Sequence, residues 1–283
     1  MGISVRVAVA VVLLGGGAVG CGDHSVKSVK EDSAEPAPVA AMVKVADRSK
    51  DITSLHYRVS GTVPERGRLT AEASMRTKPA AMTMTMTVAG ARKPDEVDIR
   101  FVDKAIYVGG SGLDTSKWGG KGWLTAAPAV WGRGGADNQT YGVLPGSMEV
   151  SPVVQSTVMV GSQDVRRIGT ETVDGTKATH YRGTVTERGL VAAQSAAKGK
   201  AARQRRTDSL DQFVVLQVDG TMTMDLWVDG DDHPKRYRVR GKTYPTQTDA
   251  DGGTLDLTVT FLDIDQKVTV KAPPADDTAE LGG

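Results

Sequence analysis

The sequence predicts an α+β protein, mainly β: a large curved antiparallel sheet, a half-barrel, with a few short helices across its concave apolar side. Three observations carry that expectation. About ten segments alternate between apolar and polar residues, the period of a strand with one dry and one wetted face. Short turns rich in Gly and Asp join them, which favours one continuous sheet. Helical stretches are few and short, so a flat sheet of that size would stay half uncovered, whereas a curled one closes over its own apolar side.

The first twenty residues read as an address. Arg6 precedes an apolar run from Val7 to Leu14, and small residues from Gly15 to Gly20 follow. That is the layout of a secretory signal, with an apolar run too short to span a bilayer. Cys21 comes next, and Ala18, Val19, Gly20 and Cys21 together resemble the lipobox of bacterial lipoproteins. The resemblance implies that the Cys21 thiol is acylated and anchors the chain to the cytoplasmic membrane. A plain secreted protein with an incidental thiol is the alternative. Residues 21–41 hold many charges and two prolines with no apolar period, which predicts a flexible tether. Residues 42–275 are expected to form the domain, and 276–283 a disordered C-terminal tail.

Within the domain, 42–49 is expected to be a short helix. Leu55, Tyr57, Val59 and Val63 then alternate with polar residues, as do Leu69, Ala71, Ala73 and Met75. Met82, Met84, Met86 and Val88 alternate with threonines, and Val97, Ile99 and Phe101 with Asp98 and Arg100. Ile106 and Val108 follow a tight turn at Asp103 and Lys104. Residues 109–146 carry eleven glycines with Trp118, Trp123 and Trp131. Such a long glycine-rich stretch predicts a flap with aromatic anchors, returning to the sheet at Trp123 to Thr125. Ser151 and Pro152 look like the start of a short helix over 153–159. Two more helices are expected at Leu190 to Ala197 and Ala201 to Leu210, broken near Gly199. Met222, Met224, Leu226 and Val228 resume the alternation, followed by Tyr237 and Val239, then Leu255, Leu257, Val259 and Phe261.

Several functions are disfavoured by composition. Lys+Arg is 35 against Asp+Glu 34, so no overall charge favours nucleic acid. One cysteine allows neither an internal disulfide framework nor a multi-cysteine metal site. No His-Glu-x-x-His is present, and Gly109 to Leu113 misses the last glycine of a nucleophile elbow. Arg236 stands where a phosphate loop ending at Thr243 needs its first glycine. The aspartates of 229–232 and 249–251 lack the closing glutamate of a calcium loop and read as solvated turns. The expectation is a non-enzyme with no cofactor and no metal.

Lys198, Lys200, Arg203, Arg205 and Arg206 put five cations in nine residues. A solvated helix face explains such a run; contact with anionic lipid headgroups is the sharper alternative.

The order of segments resembles the actinobacterial lipoproteins of the LppX/LprA/LprG type, relatives in fold of the LolA/LolB carriers. The resemblance rests on Cys21, the tether, Ile52 to Gly61, Ile168 to Tyr181, and Met224 to Asp229 with Pro234 to Tyr237. It implies a curved sheet enclosing an apolar cavity for acyl chains, and carriage of a lipid or lipidated ligand at the outer face of the cytoplasmic membrane. The cavity lining is then expected to be Met82, Met84, Met86, Met222, Met224, Leu226, Leu255, Leu257, Val259 and Phe261. Ten methionines against three phenylalanines suit that role, since unbranched methionine adapts to a flexible chain. The same residues packed as ordinary core are the competing reading. A different class of function also stands: an envelope adaptor that binds a protein partner through the tryptophan flap.

Overall fold

The computed structural model describes residues 37–89, 95–126, 141–144, 151–246 and 250–281. Residues 1–36 lie outside them, and with them the signal segment, Cys21 and most of the tether; so does Trp131.

Helix α1 spans Pro38–Ser49 and so begins inside the expected tether. Pro38 stands in its first turn, where proline costs no hydrogen bond, and Ala41, Met42 and Val45 anchor its inner face. The chain then runs out in one direction through β1 (Ser54–Val63), β2 (Gly67–Thr77), β3 (Ala80–Val88), β4 (Asp95–Val102), β5 (Ala105–Gly109) and β6 (Trp123–Ala126). Asp103 and Lys104 both adopt positive φ, 53° and 63°, which gives the two-residue turn the twist a hairpin needs. After a long crossover come the short helix α2 (Val153–Ser156) and a 3-10 turn over Thr157–Gly161. Ser151 caps this start, its hydroxyl accepting from the Val153 N–H at 3.2 Å.

The second series is β7 (Arg166–Val173), β8 (Thr176–Thr186), helices α3 (Glu187–Ala196) and α4 (Lys200–Val215), then β9 (Thr221–Val228), β10 (Pro234–Lys242) and β11 (Thr254–Ile264). Gly199 separates the two helices with φ +86°, as the sequence predicts. The helix α3 starts where Thr186 Oγ1 accepts from the Gly189 N–H at 3.1 Å, an N-cap.

All strands join one sheet in the order β12-β6-β5-β4-β3-β2-β1-β11-β10-β9-β8-β7, where β12 is Thr278–Glu280. It is antiparallel except for the β12–β6 pair. The sheet is open and curled, with the described helices few and short, as the sequence predicts. Register shifts at His56/Tyr57, Arg167/Gly169 and Pro234/Arg236 are bulges, which bend and over-twist their strands. Strand β1 sits in the middle because it pairs with both β2 and β11.

Among the described residues there are twelve strands rather than about ten. The C-terminal residues also depart from the expected disorder. From β11 the chain crosses the outer face of the sheet, where Arg76 Nη1 donates to the Val268 carbonyl at 2.7 Å and Arg100 Nη1 to that of Lys271 at 3.2 Å. It then adds β12 in parallel to the edge at Trp123 to Thr125. Thr278, Ala279 and Glu280 carry no alternation of their own; backbone pairing recruits them, helped by Asp277 Oδ1 accepting from the Gly122 N–H at 2.8 Å.

Gly61 is a required glycine. It sits in β1 with φ +154°, and a Cβ there would collide with the backbone carbonyl of Asp256 on β11. Gly61→Ala is expected to cost about 1–3 kcal/mol in backbone strain alone, read as a lower urea midpoint. An unchanged midpoint would mean that the β1–β11 contact yields freely there.

Candidate functional site

The inner face of the sheet is apolar from β4 to β9. Leu55, Tyr57 and Val59 of β1, Tyr237 and Val239 of β10, and Leu255, Leu257, Val259 and Phe261 of β11 are buried along its middle. The methionines flank them. On one side Met75 lies opposite Met82, and Met82 and Met84 oppose Phe101 and Ile99. On the other, Met224 opposes Val239. The two methionine groups share a face but stand four strands apart. All ten residues expected to line a cavity belong to one continuous core, together with Met42 of α1, Val153 of α2, Leu190 of α3 and Phe213 of α4.

Tyr57, Tyr237 and Gln155 are among the polar groups of this interior. Burial pushes the Tyr57 and Tyr237 hydroxyls far above the ordinary phenol range. Tyr57 leans on the Met82 sulfur at 3.7 Å. Tyr237 donates to Gln155 Oε1. Gln155 is 1% exposed, and its Nε2 has no hydrogen-bond partner among the described residues. A buried donor left unpaired costs about 1–3 kcal/mol.

At the rim of the helical layer lies a pocket of about 220 Å³. Its walls come from the end of α1 (Ala46, Ser49, Lys50), from Ile52 and Thr53, from the β2–β3 turn (Thr77, Lys78), from α2 and its approaches (Ser151, Val154, Thr157), and from the middle of α4 (Arg205, Arg206, Asp208, Ser209). Ile52 belongs to the main core, so the pocket floor is continuous with it.

The basic run of α4 divides on folding. Lys198, Lys200 and Arg203 are exposed, whereas Arg205 and Arg206 are half-buried in the pocket wall. Arg205 reaches Asp47 at 3.7 Å. Burial, then the neighbouring Arg205 charge, lowers the Arg206 pKa, with Asp47 opposing.

Sequence reasoning missed a charged cluster on the outer face. His180, 4% exposed, places Nε2 2.7 Å from Asp225 Oδ1 and Nδ1 2.8 Å from Glu171 Oε1. The Trp227 ring stacks on it at 4.2 Å and donates its indole N–H to Glu171 Oε2 at 3.0 Å. Arg182 Nε and Arg240 Nη2 each donate to Asp225 at 2.6 Å. Burial alone would raise the Asp225 carboxyl; the hydrogen bonds from His180, Arg182 and Arg240 outweigh it and hold it below the usual carboxylate range. The legible signal was Asp225 itself, an acid between Met224 and Leu226. The arrangement ties β7, β8, β9 and β10 together and reads as a structural lock.

Trp123 lies in β6 under the Arg100 guanidinium, 4.5 Å from its ring centre, and Trp118 is half-buried. Asp229, Asp231 and His233 bring three donor atoms within 4.8 Å of one another. Asp229 Oδ1 already accepts the Asp231 and His233 N–H groups, as a turn aspartate does. Among the described residues no helix is long and apolar enough to cross a membrane.

No family model matches the chain. It is 26% identical over 187 residues to an uncharacterized 31.2 kDa protein of the rplA-rplJ intergenic region of Streptomyces griseus, covering 65% of this chain and 56% of that one. It is 29% identical over 124 residues to a Streptomyces coelicolor protein named as a lipoprotein, SCO4650, covering 44% of this chain and 30% of that one. The chain thus spans about half or less of the curated relatives it matches. Among solved structures it is similar to the Mycobacterium tuberculosis lipoprotein LppX, at 17% identity, 84% of this chain, 100% of that one and TM-score 0.48. It is also similar to LprF from Mycobacterium bovis, at 12% identity, 83% of this chain, 96% of that one and TM-score 0.49.

Proposed function

We propose that this protein is a lipid-anchored, non-catalytic lipoprotein of the cell envelope that holds an acyl-chain lipid between the inner face of its sheet and its helical layer. Cys21 carries the anchor, and the domain faces away from the cytoplasm. The observation that carries the reading is the composition of the buried face. Its flanks are built of methionine, whose unbranched side chains rearrange around a foreign chain at low cost, and its cover is four short helices. Gln155 adds support. An amide donor without acceptor, buried among apolar groups, is where an ester or carboxyl oxygen finds a partner. The name of the Streptomyces coelicolor relative, a lipoprotein, agrees with the anchor.

The methionines are buried as the chain stands, so a lipid enters by parting the helices from one another and from the sheet. Native mass spectrometry of the full chain from a lipid-containing host tests this, together with uptake of a fluorescent fatty acid. Bound lipid and saturable uptake are expected. A chain with neither has a solid core, and the reading falls.

A further inference from the structure

The rim pocket has a chemical character that an apolar site does not need. Lys50, Lys78, Arg205 and Arg206 line it, against one carboxylate, Asp208. They come from three separate places in the fold: the end of α1, the β2–β3 turn and the middle of α4. Helix chemistry explains only part of this. Lys50 lies at the C-terminal end of α1, where a cation offsets the helix dipole. Arg205 has Asp47, and Asp208 accepts from Gln204 at 2.9 Å.

Lys78 and Arg206 have no such account. Neither side chain makes a hydrogen bond or ion pair among the described residues, and Arg206 is half-buried beside the like charge of Arg205. Asp47 offsets the Arg206 charge only in part against burial and Arg205, and a partly desolvated guanidinium with no anion in contact favours an added one. The hydroxyls of Ser49, Thr77, Thr157 and Ser209 in the wall already donate to backbone carbonyls, so the anion contact falls to the cations. The apolar part of the wall is Ala46, Ile52 and Val154, and Ile52 is core. Cations at the rim over an apolar floor match a molecule with an anionic end and a greasy end.

We infer that this pocket binds the phosphate-bearing headgroup of an acyl lipid, with Lys78 and Arg206 as its principal cationic contacts and the acyl chains directed past Ile52 towards the core. This rests on the lipid-holding reading and adds to it the charge class of the ligand. The site selects anionic over neutral lipids, and the selection weakens as salt rises.

The test titrates the full chain carrying Cys21→Ser with three probes. They are short-chain dihexanoyl phosphatidic acid and neutral dihexanoylglycerol, both kept monomeric, and glycerol 3-phosphate. Phosphatidic acid is expected to bind about tenfold tighter than the neutral lipid, the ratio that ~1.4 kcal/mol of headgroup contact gives. Lys78→Gln with Arg206→Gln should collapse that ratio, and Lys78→Arg with Arg206→Lys should keep most of it. Thermal melting follows the fold in each variant.

Equal affinity of the two lipids would overturn the headgroup site while leaving lipid binding intact. Failure of both lipids to bind would remove the lipid-holding reading as well. Glycerol 3-phosphate binding as tightly as phosphatidic acid would make this a site for free phosphate esters and overturn the lipid assignment. A ratio that survives in the double glutamine variant would place the headgroup elsewhere.

Discussion

Replacing Asp225 with asparagine is expected to lower the stability of the domain by about 2–3 kcal/mol, or roughly 5–10 °C in Tm. Asp225 is 1% exposed, and its two oxygens answer His180, Arg182 and Arg240. Removing one member of a buried charge cluster leaves the others uncompensated, and full burial would make the loss about 3–5 kcal/mol. Here Arg182 and Arg240 are 38% and 35% exposed, so water recovers part of it. Calorimetry on both chains checks the figure. A Tm unchanged within a degree would show that the cluster holds nothing together.

The same cluster sets an acid limit. Hydrogen bonds hold Asp225 below the usual carboxylate range against the opposing effect of burial. The Trp227 indole, against burial, and then His180 do the same for Glu171, and Arg238 does so for Asp256. A carboxyl whose folded pKa is depressed stabilises the fold fully above its unfolded value, near ~4, and loses that contribution as pH falls through the folded value. Stability should therefore decline steeply below about pH 4, and less steeply in Asp225→Asn.

The second large effect concerns entry of the ligand. Thr157 Oγ1 and Ser209 Oγ lie 2.7 Å apart and join the turn after α2 to α4 across the pocket wall. Their side chains are in direct contact, so Thr157→Cys with Ser209→Cys is the pair chosen to cross-link the two. The link closes a loop of about 52 residues and should stabilise the domain by about 4 kcal/mol. It also prevents these helices from parting. Fatty-acid uptake should fall at least about tenfold, a barrier or binding cost of ~1.4 kcal/mol, in the oxidised chain and return on reduction. Equal uptake in both redox states would move the entrance away from this wall.

Most strands were legible because alternation is a local property. Met82, Met84 and Met86 face inward and their threonines outward regardless of which strand lies beside them. The same holds for Leu255 to Phe261. The break between α3 and α4 was legible at Gly199, whose positive φ a residue with a Cβ adopts only at a cost. The C-terminal strand was not legible, since Thr278 to Glu280 have no pattern and join an edge made by residues near 124. Nor was the division of the basic run, because the face that Arg205 and Arg206 present depends on how α4 lies against α1 and α2.

The sequence by itself determined which apolar residues share the inner face of each strand, because the drive to remove an apolar side chain from water belongs to that side chain. Only the tertiary structure decided which buried and charged groups meet. Asp225 finds His180 through the β8–β9 register, and Lys78 stands across a pocket from Arg206 because distant turns and helices close on one rim. Electrostatic and hydrogen-bond partners act over a few ångströms in space, and distance in space is what folding, not local pattern, sets.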